Sequence, residues 1–298
     1  MSILRYLKPS FLYANRRLIP VYLRSYWRDA RRGAVEATHR TRALLARHGV
    51  GLTGNERRLA ALRDKHVGRR AFVVGTGPSL RISDLDRLQN EITLASNQIY
   101  VCFGETKWRP TYYANWYLND ADIEYPRIDG IERCVKFLPV AAMKGYPSVR
   151  NAIYVRHVQR NYYPGLPEFS YDALCHIFWG GTVTYLLLQL AWFLGLREVY
   201  LLGVNFDYKI KEENKSDSGI NPQWYSTDRD PDHFHPSYLP PGARAGLTSL
   251  HLHEASYRAA KQAFEAHGGR IWNATRGGKL EIFPRVDLDE IIPPAPKP

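Results

Sequence analysis

FVVGTGPSL, residues 72–80, is the stretch that decides the fold. Phe72, Val73 and Val74 read as a strand, because aromatic and β-branched residues suit a buried pleated surface. The run stops at Gly75, and Gly77 and Pro78 turn the chain before Ser79. A strand that runs straight into a glycine-rich turn is expected at the carboxyl end of an open parallel sheet, where ligands bind. Glycine permits close backbone approach, and free amides together with the Ser79 hydroxyl would hydrogen-bond phosphate oxygens. A dinucleotide fingerprint would need a third glycine where Leu80 stands, and a P-loop would need Gly-Lys-Ser/Thr to follow, so neither motif is present.

The same alternation continues outward. Short apolar strands are predicted at Arg70–Val74, Ile92–Ser96, Thr111–Asn115, Val135–Leu138 and Ala152–Val155. A helix from Thr182 to the C-capping Gly195 precedes a strand at Glu198–Gly203, and a helix from Glu254 to His267 precedes one at Arg270–Ala274. A short charged helix, Glu56–Lys65, leads into the first strand. This order predicts an α/β fold: an open, mostly parallel Rossmann-like sheet with helices on both faces. The expected organisation is a basic helical extension over residues 1–67 and a Rossmann-like domain over 68–298. Residues 207–249 would form a long lid, since so long an irregular segment in a compact domain has a role or is disordered. Within it KIKEENKSDSGINP is expected to be mobile and WYSTDRDPDHFHPSYLPPG ordered, because only the latter carries bulky aromatic residues and stiffening prolines.

Length and a 45% hydrophobic content allow a sizeable core. Cys102, Cys134 and Cys175 are too few and too scattered for a disulfide framework or a zinc site, which fits a reducing cytoplasm. The longest apolar run, Val183–Leu196, is shorter than the roughly 20 residues of a spanning helix. The first residues, interrupted by Arg16, Arg17 and Pro20, lack the apolar core of a secretory signal. Net charge is +12, and residues 1–50 hold Lys8 and ten arginines against Asp29 and Glu36, so +9 resides there. These arginines alternate with Tyr22, Tyr26, Trp27 and aliphatic residues, a mixture that suits an anionic membrane surface, with packing on the domain and nucleic-acid binding as the alternatives.

Two more strand or helix ends carry polar groups suited to a ligand. SNQIY, residues 96–100, presents Asn97, and GGTVT, residues 180–184, opens the long helix with Gly181 and Thr182, where Thr182 is a helix cap with or without a ligand contact. Asp120 and Asp122 form an Asp-x-Asp pair of the sort that holds Mg²⁺ on nucleotide-sugar phosphates in some glycosyltransferases, though the spacing is common by chance.

Taken together, GTGPSL, SNQIY, GGTVTYLLLQLAWFLGLREVYLLGVNF, DPDHFHPSY and NATRGGKLEIFPRVDLDEI resemble the bacterial domain related to archaeal 6-hydroxymethylpterin diphosphokinase. That domain is itself similar to the sialyltransferases of glycosyltransferase family 42 and to flagellin nonulosonate transferases. The resemblance spans about residues 68–292. It implies that Gly75, Thr76, Gly77, Pro78, Ser79, Asn97, Gly181, Thr182 and Asn205 bind a nucleotide sugar. It also implies that His233 is the general base, with His235 as the competitor, and that Tyr208 with Tyr225 or Tyr238 stabilises the departing phosphate. Thr76 stands where the family usually has Asn, and Gly180 where the sialyltransferases have Arg.

The expected function is therefore an inverting, sialyltransferase-like glycosyltransferase of polysaccharide or cell-envelope biosynthesis. It would take an acidic sugar, a nonulosonate or Kdo-like acid, from a cytidine monophosphate (CMP) donor to a surface-glycan, lipid-linked or protein hydroxyl. No resident cofactor is expected. Its expected location is cytoplasmic, peripheral on the inner face of the membrane. The alternatives are an ATP- and Mg²⁺-dependent pyrophosphokinase acting on a pterin-like alcohol, and a non-catalytic nucleotide-binding scaffold.

Overall fold

The structure, a computed structural model, describes residues 21–50, 53–116, 121–160, 165–209, 223–225, 230–239, 241, 244–246 and 249–293, without the side chains of 21–32, 121–123, 223–225 and 244–246. The chain divides into two units, 1–52 and 53–298. The first contains the helix α1, Val21–Arg47. Segment 53–67, grouped with the extension on sequence grounds, belongs to the second unit: Leu59 and Leu62 are buried in its core, and Asn55 brackets Tyr154 with hydrogen bonds of 2.7 and 2.8 Å to its amide and carbonyl.

The second unit is an α/β domain built on a seven-stranded parallel sheet. In chain order its strands are β1 (Arg70–Val74), β2 (Ile92–Ser96), β3 (Tyr112–Ala114), β4 (Val135–Pro139), β5 (Ala152–Val155), β8 (Glu198–Leu202) and β11 (Arg270–Asn273). Their spatial order is β11-β8-β1-β2-β3-β4-β5, and every neighbouring pair is parallel. Strands buried on both faces need near-continuous apolar runs. Alternate residues of the same strands accordingly supply two cores. Ala71, Val73, Leu94 and Phe137 belong to one, with the helices α5 (Val183–Phe193) and α6 (Leu250–Glu265). Phe72, Val74, Ala95 and Tyr113 belong to the other, with Leu85, Ile128 and Leu288 from α3 (Ile82–Arg87), α4 (Ala121–Asp129) and α7 (Leu288–Ile291).

From β1 the chain steps through β2 to β5 on one side, and β8 then returns to the other side of β1. The loops leaving β1 and β8 therefore depart in opposite directions, which opens a crevice at their carboxyl ends. Helices α5 and α6 each lead directly into a parallel strand, so their amino ends lie at that same edge of the sheet.

All 11 residues of α5 are buried, Gln189 included. Its carboxamide is fully used: Oε1 accepts from Ser170 N at 3.0 Å and Phe178 N at 2.8 Å, and Nε2 donates to the carbonyls of Phe178 at 2.8 Å and Tyr185 at 3.2 Å. The helix ends as expected at Gly195, whose φ of +89° favours glycine.

Several elements differ from the sequence expectation. Helix α6 begins at Leu250 rather than Glu254, because His253 in its first turn is fixed by a tertiary bond to Gly181. The lid is not wholly irregular: β9 (Gln223–Tyr225) and β10 (Arg244–Gly246) pair antiparallel. A small parallel pair, β6 (His157–Val158) with β7 (Ile177–Phe178), was too short to show as a period. The front of the lid, 210–222, lies outside the described residues.

Replacing Gln189 with Leu keeps the volume but leaves the amides of Ser170 and Phe178 and the Phe178 carbonyl without this partner. Stability is expected to fall by about 3 kcal/mol, read as a lower urea midpoint at unchanged slope.

Candidate functional site

The glycine loop is built against the loop after β8. The Gly77 amide donates to Gly203 O at 2.8 Å, and the Ser79 hydroxyl donates to Asn205 Oδ1 at 2.8 Å, with the Ser79 amide 3.3 Å from the same oxygen. A Cβ at Gly75 would lie 2.5 Å from Gly203 O, and one at Gly77 would overlap Asn205 Oδ1. Both glycines are thus required by backbone approach alone. Most of the donors expected to meet phosphate are engaged internally, since the Gly75 amide also continues the ladder to Leu202 O at 2.8 Å. Among the described residues the Thr76 amide makes no hydrogen bond, and Pro78 has no amide hydrogen to give. Asn205 joins a third loop as well, its carbonyl accepting Lys279 N at 2.8 Å.

The loop after β2 stands beside it. Asn97 has a φ of +53°, a conformation Asn tolerates better than most residues, and its carbonyl accepts the buried Tyr113 hydroxyl at 2.7 Å. Its side-chain Oδ1 is buried and has no hydrogen-bond partner among the described residues.

At the mouth of α5, Thr182 is the helix cap: its hydroxyl accepts Thr184 N at 3.3 Å, and the residue is buried. The preceding turn is clamped by α6. Ser256 Oγ donates to Gly180 O at 2.6 Å, His253 Nε2 lies 2.8 Å from Gly181 O, and the Tyr257 hydroxyl hydrogen-bonds Thr182 and Thr184. A Cβ at Gly180 would overlap Ser256 Oγ and come within 2.5 Å of Tyr185, so no side chain fits there. The absence of an arginine at 180 therefore has a steric cause. Gly181, at φ +79°, faces Leu252 as closely. His253 went unnoticed in the sequence, where a histidine in a helix has no distinguishing pattern. Burial holds its imidazole down at about 4, with its Nδ1 unpartnered among the described residues.

The ordered part of the lid docks on the glycine loop through the backbone: Phe234 N donates to Thr76 O at 3.0 Å. Within the lid, its start is tied to this ordered part where Lys209 N donates to Asp232 Oδ1 at 2.7 Å. This places His233 beside the crevice. Its Nδ1 lies 2.7 Å from Oδ2 of Asp230, whose side chain is only 1% exposed, and its ring stacks on Tyr238 at 3.8 Å. Burial pushes the Asp230 carboxyl up, but the hydrogen bond and charge of His233, with the amides of Asp232 and His233, outweigh it and hold the group below its ordinary range. Nδ1 facing a carboxylate carries the proton, which leaves Nε2 as the basic nitrogen.

The segment carrying His233 and His235 is bent rather than extended, and the two rings meet different partners, Asp230 and Glu105. Both nitrogens of His235 are occupied: Nδ1 accepts Ser237 N at 3.1 Å, so Nε2 donates to Glu105 at 2.6 Å. Sequence reasoning missed Asp230 as the partner of His233, although the Asp-x-x-His spacing was visible. Tyr238 is buried beneath the His233 ring, and Tyr208 is 40% exposed with its ring 6.2 Å from that of His253. Tyr225 lies in β9, but its side chain, like that of Asp122 and all of Asp120, is outside the described residues. Among the described residues no three His, Cys, Asp or Glu side chains converge as a metal site.

No protein-family model matches the chain, and no curated protein sequence matches it. Among solved structures it is similar to that of the MAf glycosyltransferase from Magnetospirillum magneticum AMB-1, at 15% identity and a TM-score of 0.44, over 76% of this chain and 37% of that one. The chain thus spans little more than a third of that protein.

His253 makes folding pH-dependent. Its folded value, about 4, lies below the roughly 6.5 of an unfolded histidine, so on acidification the unfolded chain takes up the proton first. Its stabilising contribution, roughly 3 kcal/mol when fully present, is expected above about pH 6.5 and to be lost progressively towards pH 4. His253→Gln should flatten the dependence of the unfolding midpoint on pH across that window.

Proposed function

We propose that this chain is a glycosyltransferase that moves an acidic sugar, a nonulosonate or Kdo-like acid, from a CMP donor to the hydroxyl of a surface glycan, a lipid-linked sugar or a protein. The observation that carries this reading is the Asp230–His233 pair, 2.7 Å apart and fastened to the glycine loop through Phe234 N and Thr76 O. A buried carboxylate behind an imidazole fixes its tautomer and stabilises the imidazolium that forms when it accepts a proton. The neighbouring crevice, at the divergence of the β1 and β8 loops, is where an open parallel sheet receives a nucleotide.

In this reading His233 Nε2 takes the proton of the acceptor hydroxyl while that oxygen forms a bond to the anomeric carbon. The bond from that carbon to the phosphate oxygen breaks, its electron pair leaves with CMP, and the centre inverts. Asn97 Oδ1, a buried acceptor without a protein partner among the described residues, would take a donor N–H or O–H, and the Thr76 amide would reach a phosphate oxygen. Tyr208, which is exposed, would meet the developing phosphate charge, and Tyr238 supports the His233 ring. With no room for a side chain at 180, the sugar carboxylate must be met from elsewhere. No resident cofactor enters this scheme.

The test is nucleotide release, followed by chromatography, from a panel of CMP sugars, from uridine and guanosine diphosphate sugars, and from ATP with a hydroxymethylpterin, each with Mg²⁺ or EDTA. CMP release that persists in EDTA is expected, at least about 100-fold slower in His233→Ala and retained in His235→Ala. Metal-dependent turnover of ATP or a diphosphate sugar alone would overturn the reading in favour of a pyrophosphokinase or metal-dependent transferase using Asp120 and Asp122. Nucleotide binding with no turnover would leave a scaffold.

A further inference from the structure

We infer that α1, in the first unit, is an interfacial helix that lies along an anionic lipid surface, independently of what the second unit catalyses. It runs unbroken for 27 residues, from Val21 to Arg47. Seven arginines against Asp29 and Glu36 leave it at +5. Among the described residues no helix is long and apolar enough to cross a membrane, so association with lipid would be along the surface rather than through it.

The described half of the helix carries an exposed apolar side. Ala43 and Ala46 are buried, whereas Ala34, Ala37, Thr38, Thr41, Leu44 and Leu45 are exposed, Leu44 by 51% and Leu45 by 37%. At 100° per residue these six positions fall on one side of the helix. The two threonines do not make that side polar. Thr38 Oγ1 donates to Ala34 O at 2.9 Å and Thr41 Oγ1 donates to Ala37 O at 3.0 Å, so both hydroxyls are turned back onto helix carbonyls and their methyl groups remain to face outward. Arg40, next to this side, is paired with Glu36 at 2.6 Å. Upstream, Leu23, Tyr26, Trp27 and Ala30 recur in the sequence at the spacing that continues the same apolar side.

An outward apolar side with arginines along the rest of a helix of low mean hydropathy is the pattern of helices that sink their apolar side to the level of lipid headgroups. The arginines supply attraction to anionic lipid, each worth roughly 1 kcal/mol near such a surface and weakened by salt. A nucleic-acid surface would call for an outward side of arginines instead. Six small or apolar residues make a poor interface for a second protein, which wants large central anchors.

The experiment uses the full chain with sedimented vesicles of phosphatidylcholine, alone or mixed with phosphatidylglycerol, over a range of salt. Binding to the mixed vesicles only, falling as salt rises, is expected. Leu44→Glu with Leu45→Glu, two exposed positions remote from the nucleotide crevice in sequence, is expected to weaken it at least tenfold with an unchanged unfolding midpoint. Arg42→Ala with Arg47→Ala should shallow the salt dependence. Equal binding to neutral vesicles, or undiminished binding by the leucine variant, overturns the proposal. So does a wild type that binds neither vesicle but self-associates in a manner the leucine variant abolishes, or one that binds only RNA.

Discussion

The carbonyl of Gly203 and the side chain of Asn205 impose the constraint on which the rest of the domain depends. Two neighbouring parallel strands, β1 and β8, must send their chains in opposite directions, and the loops can separate only if they first touch. They touch through backbone: Gly77 N reaches Gly203 O, and neither Gly75 nor Gly77 leaves space for a Cβ. Asn205 then gathers Ser79 from the β1 loop and Lys279 from the loop after β11. Three loops are held by one residue, so the crevice has a rigid floor before any ligand arrives. A floor that is already fixed loses no entropy when something binds to it.

The second layer of organisation is the clamp of α6 on the start of α5. His253 and, one turn later, the adjacent Ser256 and Tyr257 of α6 reach Gly181, Gly180 and Thr182 respectively. Helix α5 is buried on all sides and cannot shift without breaking the bonds of Gln189. Its amino end is therefore presented to the crevice at a fixed height, and among the described residues the lid meets the glycine loop through the backbone bond of Phe234 to Thr76.

Much of the sheet was legible in the sequence because strands buried on both faces read as short, nearly continuous apolar runs. Arg70–Val74, Ile92–Ser96 and Ala152–Val155 have the predicted bounds for this reason. Gly195 was readable as a cap because only glycine readily takes its backbone angle. The loops of the candidate site were legible because they follow from the topology, and His233 was implied only by the resemblance of its motif to a known family. The pairings within the site were not legible, because they depend on bends in irregular backbone. Asp230 became the partner of His233, and Glu105, 130 positions away from His235, became the partner of the other histidine. The glycines misled in a specific way. They suggested a cradle of free amides, whereas tight backbone contact already accounts for them.

The lid is fastened to the glycine loop by a peptide N–H and a peptide carbonyl, those of Phe234 and Thr76. Such a fastening does not depend on which side chains the two residues carry. Side chains elsewhere along the lid can therefore change without breaking this bond, and the imidazole next to it can keep its place while the residues around it diverge.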